Sequence, residues 1–225
     1  MSFSSYKNIQ DRTLDILSRS DTTTRNRVKN WINAGYADFV TRELWPFRET
    51  TTILSTTAGT QEYTIEDELE DIDLQNILAV SVQGATESRL SYVPFNQLRM
   101  KQPDFTSVGP GVPLHYYLKA GQIGFWPTPN AAYEVAVDYY VNAEELVEDA
   151  DEPIIPARYR EALMHYALDL EYKYNSDFDQ AAGALNRYEQ IVALARNNLL
   201  AQPADIGSFR ITGPMDIRNH TDIGR

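Results

Sequence analysis

Residues 156–200 limit the fold more than any other part of the chain. Tyr159, Leu163, Tyr166, Leu170 and Tyr174 recur four, three, four and four residues apart, which puts them on one face of an α-helix. Asn175-Ser176-Asp177 interrupts the pattern. Ala181, Leu185, Tyr188, Val192, Ala195 and Leu199 then resume it as a second apolar stripe of similar length. Two amphipathic helices joined by so short a break fold back as an antiparallel hairpin. Pro156 suits the first position of the first helix, where an N–H would have no helical partner. Ser176 or Asp177 can cap the second, with Asp179 and Gln180 placed for a capping-box-like arrangement.

The partner for this hairpin comes from the other end of the chain. Residues 4–18 carry Tyr6, Ile9, Thr13, Ile16 and Leu17 at helical spacing, and Ser20-Asp21 ends the run. Asp21 or one of Thr22, Thr23 and Thr24 can cap a further helix that extends to about Leu44. In it Val28, Trp31, Ile32, Tyr36, Phe39 and Val40 cover more than one narrow stripe, so it should pack on two neighbours. Trp45-Pro46-Phe47 stops it, and the two aromatics can bury the exit.

Between the two helical ends the period changes to two. Residues 50–56 and 62–65 read as strands around a Gly59-Thr60 turn. Residues 77–83 and 89–93 read as a hairpin around Gly84-Ala85-Thr86, and 95–101 as a short helix. Gly109-Pro110-Gly111 marks a loop, and residues 115–118 and 122–126 form a second hairpin around Lys119-Ala120-Gly121. Finally Tyr133, Val135, Val137 and Tyr139 alternate with Glu134, Ala136, Asp138 and Tyr140, one face buried and one wetter. The economical topology is α+β. Residues 1–48 and 153–200 form a helical bundle, an antiparallel β-sandwich or barrel of residues 49–152 is inserted in it, and 201–225 form an extended tail. That tail has too few apolar residues to fold alone, yet Phe209-Arg210-Ile211 and Met215-Asp216-Ile217-Arg218 could add a strand or insert anchors into a partner.

The chain has no cysteine, which excludes disulfides and thiolate metal sites. No apolar run reaches the roughly 18 residues of a membrane span, and the amino terminus lacks a secretory pattern, so a soluble intracellular product without membrane contact is expected. The net charge of −12 is concentrated in two clusters: Glu66, Asp67, Glu68, Glu70, Asp71 and Asp73, and Glu144, Glu145, Glu148, Asp149, Asp151 and Glu152. Such a balance argues against binding nucleic acid by phosphate neutralisation, but it suits a surface past which a duplex must slide. Solvated loops that keep the protein soluble are the plainer reading.

Catalytic patterns are lacking. His115, His165 and His220 are the only histidines, none lies in a triad or zinc-binding spacing, and no phosphate loop or dinucleotide fingerprint occurs. The acidic clusters lack EF-hand spacing. No catalytic, cofactor or metal residue is assigned, and enzyme activity is not expected. Most of the fourteen tyrosines fall on core stripes or strand faces. The alternative is a tail-fibre or carbohydrate-binding structural module that uses the aromatics of the β-region.

The order of landmarks resembles the head-to-tail adaptor (connector) proteins of tailed bacteriophages, podovirus-like. It rests on Val28-Lys29-Asn30-Trp31-Ile32-Asn33-Ala34-Gly35-Tyr36-Ala37-Asp38, on Trp45-Pro46-Phe47 before a Thr-rich strand, and on Tyr63-Thr64-Ile65. Gly124-Phe125-Trp126-Pro127-Thr128-Pro129 and Pro153-Ile154-Ile155-Pro156 with Tyr159 and Ala162-Leu163 continue it. The resemblance covers residues 22–200, and Trp31, Asn33, Ala34, Asp38, Trp45 and Phe47 match the amino-terminal pattern, with roles in fold or ring packing.

It implies a virion structural protein of the head–tail junction, made in the host cytoplasm. Such a protein would form a dodecameric ring beneath the portal protein, extend the channel through which double-stranded DNA passes, and give a platform to a tail nozzle or other tail proteins. On this reading Phe209, Arg210, Ile211, Met215, Ile217 and Arg218 contact the portal. Glu66, Asp67, Glu68, Glu70, Asp71, Glu144, Glu145 and Glu148 are then candidates to line the channel and repel DNA over about a Debye length, roughly 8 Å.

Overall fold

The structure is a computed structural model that describes residues 3–64, 72–84, 89–104 and 108–200, with 72–76 described by their backbone alone. Helices α1 (Tyr6–Leu17) and α2 (Thr22–Thr41) open the chain, and α4 (Glu161–Tyr174) and α5 (Phe178–Leu199) close the described part. Between them lie strands β1 (Glu49–Ser55), β2 (Glu62–Thr64), β3 (Ile72–Val82), β4 (Ser91–Tyr92), β5 (His115–Lys119), β6 (Gln122–Trp126) and β7 (Glu134–Val141), with the short helix α3 (Phe95–Lys101) after β4. The fold is α+β, as expected.

Local chemistry accounts for the helix ends. Asp21 accepts from the Thr24 N–H at 2.8 Å and Asp177 from the Gln180 N–H at 3.3 Å, so each serves as an N-cap. α2 ends at Thr41 instead of near Leu44, which is 49% exposed. The chain turns back there because Trp45 buries completely, stacked on Phe39 (5.1 Å) and Phe47 (5.8 Å), with its indole N–H donating to the Phe39 carbonyl. Pro156 lies before the helix and not in its first turn: it keeps an extended ψ of 136° and leads into a single 3-10 turn at Ala157–Tyr159.

α4 is the hub of the helical body, packed on α1, α2 and α5. That corrects the single stripe expected for it. Tyr159 and Leu163 are buried, but Tyr166 and Leu170 are half-buried and Tyr174 is 62% exposed. Ala162, Met164, Ala167 and Leu168 are buried instead, because a helix enclosed on several sides buries more than one stripe, and the alanines stand where only small side chains fit. Gly35 of α2 makes one close approach: a Cβ there would stand 2.9 Å from Tyr166. In α5 the expected stripe holds, with Ala181, Tyr188, Val192 and Ala195 buried and Leu185 and Leu199 packed at its edge.

The strands form two sheets, in the orders β1-β7-β3 and β2-β6-β5-β4, that share a second apolar core. Leu54, Val80, Val135, Val137 and Tyr139 meet Tyr63, Tyr116, Ile123 and Phe125 across it. The arrangement is a sandwich and not a closed barrel. Ala120 and Gly121, both at positive φ (47° and 78°), make the tight turn of the β5–β6 hairpin.

The hairpin expected at 77–83 and 89–93 is replaced by a crossing. Ser81 and Arg89 form one antiparallel bridge, after which β4 leaves to pair with β5 in the other sheet, in parallel. Nor does β7 alternate cleanly: Ala136 and Tyr140 are buried along with Val135, Val137 and Tyr139, because β7 is the central strand. β5 departs for another reason. α3 covers its second face, where Phe95 packs on the buried Tyr117 at 5.3 Å.

Candidate functional site

The residues of the α2 pattern converge on three ties to distant parts of the chain. Trp31 donates its indole N–H to Glu171 of α4 at 3.2 Å, and Arg27, one turn earlier, meets the same carboxylate through Nη2 at 2.6 Å and Nε at 3.1 Å. Glu171 is only 2% exposed. Burial alone would raise its pKa, but hydrogen bonds from Arg27, Trp31 and Asn175 outweigh it and hold the carboxyl below its ordinary value. Asp38 makes the second tie: it pairs with Arg42 at 2.7 Å and accepts from the Tyr188 hydroxyl of α5, and Arg42 reaches Glu189 at 2.7 Å. Burial and the Asp38 hydrogen bond together push the Tyr188 hydroxyl pKa up.

Asn33 makes the third tie. Its side-chain amide donates to the Leu146 carbonyl at 2.9 Å and accepts from the Leu146 N–H at 3.1 Å, imitating one rung of a β-ladder. The second acidic cluster is thereby fastened to the helices as a strap. Tyr6 and Lys7 donate their N–H groups, which the first turn of α1 leaves without helical partners, to the carbonyls of Asp151 and Asp149. Leu146 and Ile155 are buried in the helical core. Arg160 closes the far end, donating to the carbonyls of Ser4 (2.6 Å) and Ile155 (2.8 Å) and pairing with Glu152 at 3.2 Å.

This strap is more than the solvated loop suggested by its charge. Asp149 faces Lys29 at 3.5 Å and Lys7 at 4.0 Å, and Asp151 accepts from the N–H groups of Val147 and Glu148. Glu145 accepts from Asn33 at 3.2 Å. The candidates Glu144, Glu145 and Glu148 are all exposed on the strap, and Glu144 and Glu145 border a cleft of about 330 Å³ that Tyr36 and Ile154 floor. Glu66, Asp67, Glu68, Glu70 and Asp71 lie outside the described residues, as do Phe209, Arg210, Ile211, Met215, Ile217 and Arg218.

Ala34 is exposed on α2, and Phe47 is packed beside Trp45. His165 pairs with Glu161 at 3.1 Å, and His115 stacks on Trp126. Among the described residues no group of three or more His, Asp or Glu could hold a metal ion, and no helix is long and apolar enough to cross a membrane. Glu171, Arg27 and Arg160 escaped sequence reasoning. A Glu on the inner side of a helical stripe was the one signal for Glu171; its partner Arg27 lies 144 residues away.

Among the described residues the strongest polar ties bind one segment of the chain to another, as in a structural part. Consistent with this, the model of the SU10 adaptor protein family matches residues 4–212, so the chain belongs to that family and has the structural role of a bacteriophage head-to-tail adaptor, a component of the virion. No curated protein matches the chain.

Proposed function

We propose that this protein forms a dodecameric ring beneath the portal, prolongs the DNA channel and carries the tail nozzle or another tail protein. The observation that carries the reading is the family match over residues 4–212. The architecture supports it: a helical body built from segments on both sides of the strands and a sandwich attached to it through β1 and the strap offer two packed units for side-by-side assembly. Tyr116 and Phe125 are spent in the interior of the sandwich and Tyr117 is buried against Phe95 of α3, which disfavours the carbohydrate-binding alternative.

On this reading the tail residues Phe209, Arg210, Ile211, Met215, Ile217 and Arg218 engage the portal, and Glu144, Glu145 and Glu148, with Glu66, Asp67, Glu68, Glu70 and Asp71, face passing DNA. Purified protein mixed with portal rings should yield particles with an added ring by electron microscopy; portal rings that stay bare would overturn the proposal. Replacing Glu144, Glu145 and Glu148 by glutamine should slow DNA ejection and leave assembly intact. Normal ejection would put the strap outside the channel.

A further inference from the structure

The two edges of the three-stranded sheet are finished differently. On β3 the Leu90 N–H donates to the Val80 carbonyl at 2.8 Å, Arg89 bridges Ser81, and register shifts fall between Ile72 and Ile77 and between Ile77 and Ala79. Bulges and covering segments are how natural sheets blunt an edge. Among the described residues β1 has neither. It pairs with β7 alone, in unbroken register over seven residues, and contains no proline, lysine or glycine.

The Thr56 N–H donates to the Tyr133 carbonyl, and antiparallel pairs alternate, so Thr50, Thr52 and Leu54 exchange bonds with β7. Thr51, Ile53 and Ser55 direct N–H and C=O away from the sheet, and no described residue meets them. The side chains of the same three residues are exposed, on the face opposite the buried Leu54, and Ile53 is 46% exposed. A strand added at this edge would complete a row of backbone bonds and cover an apolar side chain in the same act.

The helices bring the end of the described chain to the side of the body where this edge begins. Tyr188 meets Asp38, Glu189 meets Arg42 and Arg196 meets Glu43, so α5 advances beside α2 in the same direction. α2 gives way to β1 at that end, where Arg48 donates to the carbonyls of Val40, in the last turn of α2, and Val141, at the end of β7. Leu199 and Leu200 pack on the helical core. From Leu200, eight extended residues reach about 26–29 Å, against roughly 24 Å for a seven-residue strand, enough to pass along β1 to its far end.

The sequence beyond has the form such a strand needs. Residues 208–212, Ser-Phe-Arg-Ile-Thr, alternate polar and apolar at strand period, with Gly207 before them for a turn and Gly213-Pro214 after them as a stop. The family match ends at residue 212, so this segment belongs to the part of the chain that the family shares, and Met215, Ile217 and Arg218 fall beyond it.

We propose that residues 208–212 return antiparallel along the β1 edge of their own chain, with Phe209 and Ile211 on the face that carries Ile53. The inference is independent of the ring, and it narrows the portal contacts to Met215, Ile217 and Arg218. A chain without cysteine makes the test clean. In the full chain at low concentration, Ile211→Cys combined with Ile53→Cys or with Thr51→Cys should give a disulfide within one chain. The yield should be at least about tenfold lower with Thr52→Cys, whose side chain points to the opposite face.

Ile211→Pro removes one rung of the added strand. In the full chain carrying it, the amides of Thr51, Ile53 and Ser55 should exchange about tenfold faster or more than in the native chain, with those of Thr50, Thr52 and Leu54 unchanged. A disulfide no more frequent than with Thr52→Cys, or one formed only between chains, would overturn the inference. Equal exchange at the three outward amides in both chains would overturn it too. Either result leaves the ring standing, and portal rings that stay bare would remove the ring and leave this strand in place.

Discussion

The helical body and the sandwich hold together by different means. In the helical body, side-chain ties join residues more than 100 positions apart: Arg27 to Glu171, Asn33 to Leu146, Arg42 to Glu189. The sandwich relies on backbone ladders between strands and on an apolar core of valines, leucines and tyrosines with Ile123 and Phe125. The difference follows from backbone hydrogen bonding. Helices satisfy their own backbones and need side chains to fix how they pack, whereas strands acquire partners and register in the same act. A chain whose two ends must meet therefore places its directional polar groups where its helices cross.

Trp45→Ala should have the largest effect, a loss of about 3–5 kcal/mol, since it empties the fully buried junction between α2 and β1. The sandwich can be followed separately through Trp126, the one tryptophan left when Trp31→Phe is combined with Trp45→Ala, with Trp31→Phe, Trp45→Phe as the reference. Urea unfolding that lowers the helical transition and leaves the Trp126 signal in place sharpens the contrast between the bodies. Equal shifts in both signals would break it.

Next in size is Glu171→Leu, expected to cost about 2–3 kcal/mol, less than a fully buried pair because Arg27, a quarter exposed, can turn to water. This tie has a pH signature. The folded-state pKa of Glu171 lies below its ordinary value, so its contribution is complete above the unfolded-state value of about 4.3 and is lost as pH falls through the folded one. The stability gap between the native chain and Glu171→Gln should narrow as pH drops from about 5 to about 3. A gap that holds constant would remove the assignment.

Asn33→Ala should cost about 1–3 kcal/mol, since it strands the two polar groups of Leu146. Faster amide exchange confined to residues 144–152 would mark the strap as the part released. Asp149→Asn should be the smallest change, at most about 0.5 kcal/mol, because Lys7 and Lys29 meet it at the surface. A larger loss in thermal melting would mean that the strap depends on charge more than on the Asn33 clamp.

Much of this fold was legible in the residues. The stripe of α5, the caps at Asp21 and Asp177, the Ala120-Gly121 turn and the segregation of strands between helices all express local periods and turn chemistry. The faces of α4 and β7 were not, because each sits at the centre of its layer. A central element is enclosed on more than one side, and its burial is set by its neighbours and not by its own period. The candidate site divides in the same way. The residues of the α2 pattern could be singled out from sequence, but not that Asn33 would hold an acidic strap or that Trp31 would share a carboxylate with Arg27.

The sequence by itself determined which segments are helix and which are strand, and that the helical ends must share a core, since each stripe would otherwise stay wet. Only the tertiary structure decided which polar groups clasp which, how β4 crosses between sheets, and that among the described residues β1 pairs with β7 alone. Those depend on contacts between residues far apart in the chain, and no local period encodes the identity of a distant partner.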